Sequence, residues 1–173
     1  MSLFAGLKTA KTFERGTFLR PGQYVVRVKR AIFKKTRAKG DAFILEFAIE
    51  RSNYDAAKQA AVASGAYNAE VEKTLPNQVG STASWYQSLQ DMDIGFGALK
   101  SFASEILGMK ADDPEFIEQV EGFMDAVVND GAINGMLIPV EAVMVKTKKD
   151  TDFTLHRWGQ IIQDTAGQVQ ATA

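Results

Sequence analysis

The residues of this chain best suited to act on another molecule are cations interleaved with aromatic rings. Arg27, Lys29, Phe33 and Lys35 recur at alternate positions of one stretch, with Arg30, Lys34, Arg37 and Lys39 crowded beside them. From Arg20 to Lys39 there are eight cations and no acid. Lys146, Lys148 and Lys149 form a second group, followed by His156, Arg157 and Trp158, and Trp85-Tyr86 lies between the two groups. This mixture suits single-stranded nucleic acid. Cations track phosphates, and flat side chains stack on bases at about 1–3 kcal/mol each. Arg27, Lys29, Lys35, Arg37 and Lys39 are the expected phosphate contacts; Phe33, Trp85, Tyr86 and Trp158 are the expected stacking platforms. The competing reading makes Phe33, Trp85 and Trp158 core residues.

Other chemistries are mostly excluded. The 173 residues contain no cysteine and one histidine, His156. A disulfide framework, a thiol nucleophile, a thiolate metal site and a histidine-cluster metal site are therefore impossible. Phosphate-loop, dinucleotide-fingerprint, zinc-protease and nucleophile-elbow motifs are absent. Asp91 and Asp93 could pair on magnesium but have no third acid nearby. Gly95-Phe96-Gly97 is too short for a phosphate cradle and suits a helix-entry turn. No enzyme activity, metal or cofactor is expected. No apolar run approaches the roughly 20 residues of a membrane span, and Met1 to Thr17 has no apolar signal core. A cytoplasmic protein is expected, with no membrane partner.

Elements that could position the cations and rings are legible from periodicity. After the Pro21-Gly22 turn, Gln23–Lys35 alternates as a strand, with Tyr24, Val26, Val28 and Ile32 on one face and Arg27, Lys29, Phe33 and Lys35 on the other. Residues 37–41 make a hairpin turn, and Ala42–Glu50 returns as a strand. The alanine-rich insertion 51–78 is expected to be a short helix or a functional flap. Gln78–Leu89 reads as a third strand. Phe96–Leu107 carries one apolar stripe, with Gly108 placed to stop it. Asp112-Asp113-Pro114-Glu115 starts a second helix, whose apolar repeat runs from Phe116 to Val128. Gly135–Lys146 and Asp152–Trp158 form a second hairpin around Lys148–Thr151, with Pro139 suggesting an edge or bulge. A flexible basic arm is expected over 1–20, the domain over 21–159, and a flexible tail over 160–173. The helical segment spans 96–129.

Charge is distributed unevenly. The total is −1, but residues 1–40 carry +10, residues 41–145 carry −12 and residues 146–173 carry +1. A basic front of this kind points to a polyanion partner. The acids Glu115, Glu118, Glu121 and Asp125 suit the solvated face of the second helix.

The stretches PGQYVVRVKRAIFKKTRAKGDAFILEFAIERS, NQVGSTASWYQSL, GFGALKSFASEILG and GMLIPVEAVMVKTKKDTDFTLHRW resemble phage-encoded single-stranded DNA-binding proteins of the OB-fold type. The order of elements, three strands, a helical segment and two strands, agrees with that small barrel. The resemblance covers Pro21 to Trp158. It implies a mainly β protein with helices, an OB-fold-like barrel of five core strands. Its DNA groove would be bordered by Arg27 to Lys39, Gly80 to Tyr86, and Lys146 to Trp158. The implied function is sequence-independent single-stranded DNA binding in phage replication or recombination, in the host cytoplasm. Replication or recombination proteins and further copies of the chain are the implied partners. The long insertion and the tail without an acidic tip depart from the family pattern. The alternative from another class is a virion structural or adaptor protein that does not bind DNA.

Overall fold

The computed structural model describes residues 17–35 and 40–163. Five antiparallel strands form one sheet: β1 (Gly22–Lys34), β2 (Ala42–Ser52), β3 (Thr82–Ser88), β4 (Leu137–Lys146) and β5 (Asp152–Trp158). Their hydrogen-bonded order is β3-β2-β1-β4-β5, so β3 and β5 are the two edges of an open sheet. The sequence of three strands, helices and two strands is as expected. The four helices are α1 (Tyr54–Ala63), α2 (Ala69–Thr74), α3 (Met92–Leu107) and α4 (Pro114–Asn129).

The inner face of the sheet carries Val26, Val28, Phe43, Leu45, Phe47, Ile49, Ile138 and Val140, all buried. Against it α3 packs Leu99, Phe102, Ala103 and Ile106, its expected apolar stripe. Two edge-strand indoles complete this layer. Trp85 of β3 and Trp158 of β5 stand 5.2 Å apart, and Phe102 meets them at 5.2 and 5.1 Å. The sheet is therefore curled enough for its two edges to meet through side chains.

The faces of β1 differ from simple alternation. Val28 pairs with Phe47 and Arg30 with Glu46, so Lys29 is one residue too many for its partner strand. This β-bulge reverses the phase. Ala31 and Phe33 turn to the inner face behind Val26 and Val28, while Arg30, Ile32 and Lys34 join Arg27 outside. The expected grouping of Arg27, Lys29, Phe33 and Lys35 on one face is thereby broken.

Other boundaries also move. Helix α3 begins at Met92, four residues early, because the Asp91 side chain caps it by accepting from the Ile94 N–H. Gly95 is inside the helix rather than in an entry turn. A Cβ there would lie 2.7 Å from the Ser88 carbonyl and the Leu89 side chain, so glycine permits the close approach to β3. Gly108 stops α3 as expected, at φ 65°. Asp113 caps α4, with Pro114 in its first turn. Pro139 lies in β4 between β1 and β5, not on an edge. Its ring nitrogen faces Gly159, just past the end of β5, so only a terminal rung is lost.

The insertion 51–78 holds two short helices, α1 and α2, neither with a buried residue. It is tied to the sheet by polar contacts. Asn77, itself buried, accepts from the Arg20 backbone N–H at 2.8 Å and donates to the Phe18 carbonyl at 3.2 Å. Leu19 is buried and the Ser84 N–H donates to the Thr17 carbonyl, so residues 17–20 belong to the folded body rather than to an arm. Residues 1–16 of the expected arm lie outside the described residues. At the other end, Ile161 and Ile162 hydrogen-bond Ile106 and Leu137. The expected tail therefore overlaps the body at 160–163, and 164–173 lie outside the described residues.

Candidate nucleic-acid interface

The cations of β1 divide into paired and unpaired sets. Arg27 bonds Glu50 at 2.7 Å and donates to the Gly135 carbonyl at 2.9 Å. Arg30 grips both carboxylate oxygens of Glu46 across the strand pair. Both arginines spend their donors on protein acceptors, which weakens them as phosphate contacts. Among the described residues, Lys29, Lys34 and Lys35 make no ion pair and are exposed. Lys29 is the bulged residue, and Lys34 and Lys35 follow Phe33, a residue 40% exposed. Arg37 and Lys39 lie outside the described residues.

The aromatic candidates divide in the same way. Trp85 and Trp158 are each 7% exposed and enclosed by Phe43, Phe47 and Phe102, so neither indole offers a free face to a base. For these two the core reading is the one that the packing matches. Tyr86 is 43% exposed on the outer face of β3, opposite Ile44. His156 lies flat against Trp158 with ring centroids 6.0 Å apart, and its buried Nε2 has no hydrogen-bond partner. Burial pushes its pKa down to about 4, so the ring is neutral at pH 7 and adds no cation.

The second basic hairpin is placed away from the first in register. β4 pairs with β1 only over Gly22–Arg27 and continues past the start of β1. The β1–β2 turn lies past the other end, so the two turns leave β1 in opposite directions. Lys146 is paired with Asp150 at 3.0 Å, whereas Lys148 and Lys149 are exposed at the turn without an ion pair among the described residues.

One feature escaped the reading of the residues. A cleft of about 820 Å³ opens between β3 and β5, with α3 as its floor. Phe18, Tyr86, Ile94, Phe153 and Leu155 stand exposed around it. Its one charged lining residue is Glu105, which accepts the Trp158 N–H at 2.9 Å. Alternation in DFTLHRW was the available signal, since it puts Phe153 and Leu155 together on the face opposite Trp158.

A separate polar cluster closes the insertion. Tyr54 and Tyr67 donate to the two oxygens of Glu72, and the Lys58 ammonium lies 5.5 and 5.1 Å from the two ring centroids. The hydroxyl of Tyr54, then that of Tyr67, holds the Glu72 carboxyl below its usual range. The cluster fastens α1 to α2. Asp91 is used as a helix cap, and among the described residues no group of three metal-ligating side chains is found. Nor is any described helix long and apolar enough to cross a membrane. Searches against protein-family models and curated proteins give no match for this chain.

Proposed function

We propose that this chain binds single-stranded DNA without sequence preference, holding it electrostatically and by stacking and performing no chemistry on it. The observation that carries the reading is the triad Lys29, Lys34 and Lys35. Among the described residues none of these cations makes an ion pair; Lys34 and Lys35 follow the exposed Phe33 at the hairpin end of β1, and Lys29 is the exposed bulged residue between the paired Arg27 and Arg30. Lys148 and Lys149, with exposed Tyr86, are secondary contacts. The strand order and the parallel run of β3 and β5, joined by the Trp85–Trp158 contact, support an OB-like barrel closed by side chains. On this reading the chain protects or organises single strands during phage replication or recombination in the host cytoplasm. Proteins of those processes would be its partners.

The experiment is a titration of labelled oligo-dT, and of duplex of equal length, followed by fluorescence anisotropy over a salt series. Tight, salt-sensitive preference for the single strand is the expected result. Equal affinity for both forms, or no binding at low salt, overturns the proposal. The second reading, a virion structural or adaptor protein, draws on Met92, Ile94 and Phe96, exposed at the start of α3. A stable assembly that ignores DNA would favour it.

A further inference from the structure

The two edges of the sheet are treated differently. The β3 edge is partly covered: its outward Ser84 N–H is taken by Thr17, and the covering segment is fixed by buried Leu19. Among the described residues the β5 edge has no such strap. The Trp158 N–H points away from β4 to Glu105, while the Gly159 N–H points toward Pro139 of β4. Alternation then turns the backbone groups of Asp152, Thr154 and His156 away from β4. Among the described residues none of these groups has a backbone partner. From Phe153 to His156 there is no proline, lysine or bulge, the usual devices that blunt an edge. Phe153 and Leu155 are 54% and 39% exposed on one face of this hairpin, and Met144 is 48% exposed on the other.

We propose that the β5 edge pairs antiparallel with β5 of a second copy of this chain, about a two-fold axis at Thr154. Only this register uses all three outward residues. It sets Thr154 opposite Thr154, Asp152 opposite His156, and Phe153 opposite Leu155, with no like charges facing. Centring one residue later would bring Asp152 to Trp158, whose N–H is already taken by Glu105. Centring one residue earlier would leave His156 without a partner. The contact is self-complementary, as a two-fold interface requires. A nucleic acid does not suit this edge, because the one formal charge from Asp152 to His156 is the Asp152 carboxylate. The open cleft beside β5 supplies room for an added strand.

Sedimentation velocity of the full chain without nucleic acid tests the pairing. The wild type approaches twice the 18.9 kDa chain mass as concentration rises. Thr154→Pro removes the donor at the axis from both copies while leaving an edge position that tolerates proline, and weakens dimerisation at least about tenfold. Because the chain has no cysteine, Thr154→Cys can form only an intermolecular disulfide. Directly opposed hydrogen-bonded residues lie about 5.5 Å apart at Cα, within disulfide reach. Thr154→Cys therefore cross-links rapidly, whereas Val62→Cys, exposed on α1, does not. A wild type that stays at 18.9 kDa throughout overturns the proposal. So does a dimer in which Thr154→Cys cross-links no faster than Val62→Cys. Should the proline variant unfold, the cysteine pair decides alone.

Discussion

Removing Lys29, Lys34 and Lys35 together should change the salt dependence of DNA binding by a calculable amount, and removing Arg27 and Arg30 should not. Each cation that neutralises a phosphate of a single strand contributes about 0.7 to the slope of log K against log salt. Three unpaired lysines therefore account for a slope of about 2, which at 0.1 M salt is roughly a hundredfold in affinity. Arg27 and Arg30 already face Glu50 and Glu46, at 2.7 Å and in a two-point grip. Little counterion is released when DNA approaches a cation whose charge is neutralised by a carboxylate. The assay is anisotropy of labelled oligo-dT with wild type, Lys29→Ala/Lys34→Ala/Lys35→Ala, and Arg27→Gln/Arg30→Gln, at five or more salt concentrations. The lysine triple variant should lose about two units of slope; the arginine pair should lose less than one. Equal losses in both variants would refute the argument that ion pairing sorts these cations, and an unchanged lysine triple would refute the interface itself.

Three further outcomes follow from packing and burial. Phe102→Ala, at 1% exposure between Trp85 and Trp158, should cost about 3–5 kcal/mol in urea unfolding and red-shift tryptophan emission. Asn77→Leu leaves the Arg20 N–H and the Phe18 carbonyl without their side-chain partner, while the Tyr24 hydroxyl keeps the Arg20 carbonyl, and should cost about 2–4 kcal/mol, with residues 17–20 becoming protease-sensitive. His156 has a folded pKa of about 4 against 6.5 for the free side chain, because burial disfavours the charged ring. The unfolded chain therefore takes up this proton first, and stability is lost as pH falls from 6.5 toward 4. Comparing urea unfolding of wild type and His156→Phe at pH 7 and 4.5 should isolate up to about 2.5 kcal/mol of acid sensitivity in the wild type alone. An identical acid loss in both proteins would show that His156 is accessible in the folded state.

Most of the elements were legible in the residues because their periods are unambiguous. The α4 start follows from Asp113-Pro114, the α3 stop from Gly108, and the paired hairpins from alternation on both sides of short polar turns. What failed was local and had tertiary causes. The bulge at Lys29 depends on how β2 is paired, although two adjacent cations, Lys29-Arg30, inside an alternating strand were its trace. Gly95 looked like a turn because glycine is costly in a helix. Its reason for being there, the contact with β3, exists only after folding. The insertion could not be resolved beyond helix or flap, since its alanines favour helix but bury nothing.

The candidate site was harder to read because exposure and free charge belong to the fold rather than to residue type. Trp85 looked like a stacking platform beside polar neighbours. On β3, however, it shares the inner face with Ala83, where the apolar stripe of α3 needs a partner, and Tyr86 takes the outer face. The cations follow the same logic. Glu46 and Glu50 were visible on the return strand, but which cations they neutralise depends on register. The register brings Glu46 to Arg30 and Glu50 within reach of Arg27, and sets Lys34 opposite Ala42 and Phe33 opposite Phe43. Lys34 and Lys35 thus lie past the Glu46 rung toward the hairpin end of β1, whereas Lys29 is set apart by the bulge itself. A one-residue slip in that pairing would exchange which cations are neutralised, so any phosphate-binding capacity of β1 depends on the same bulge that buries Ala31.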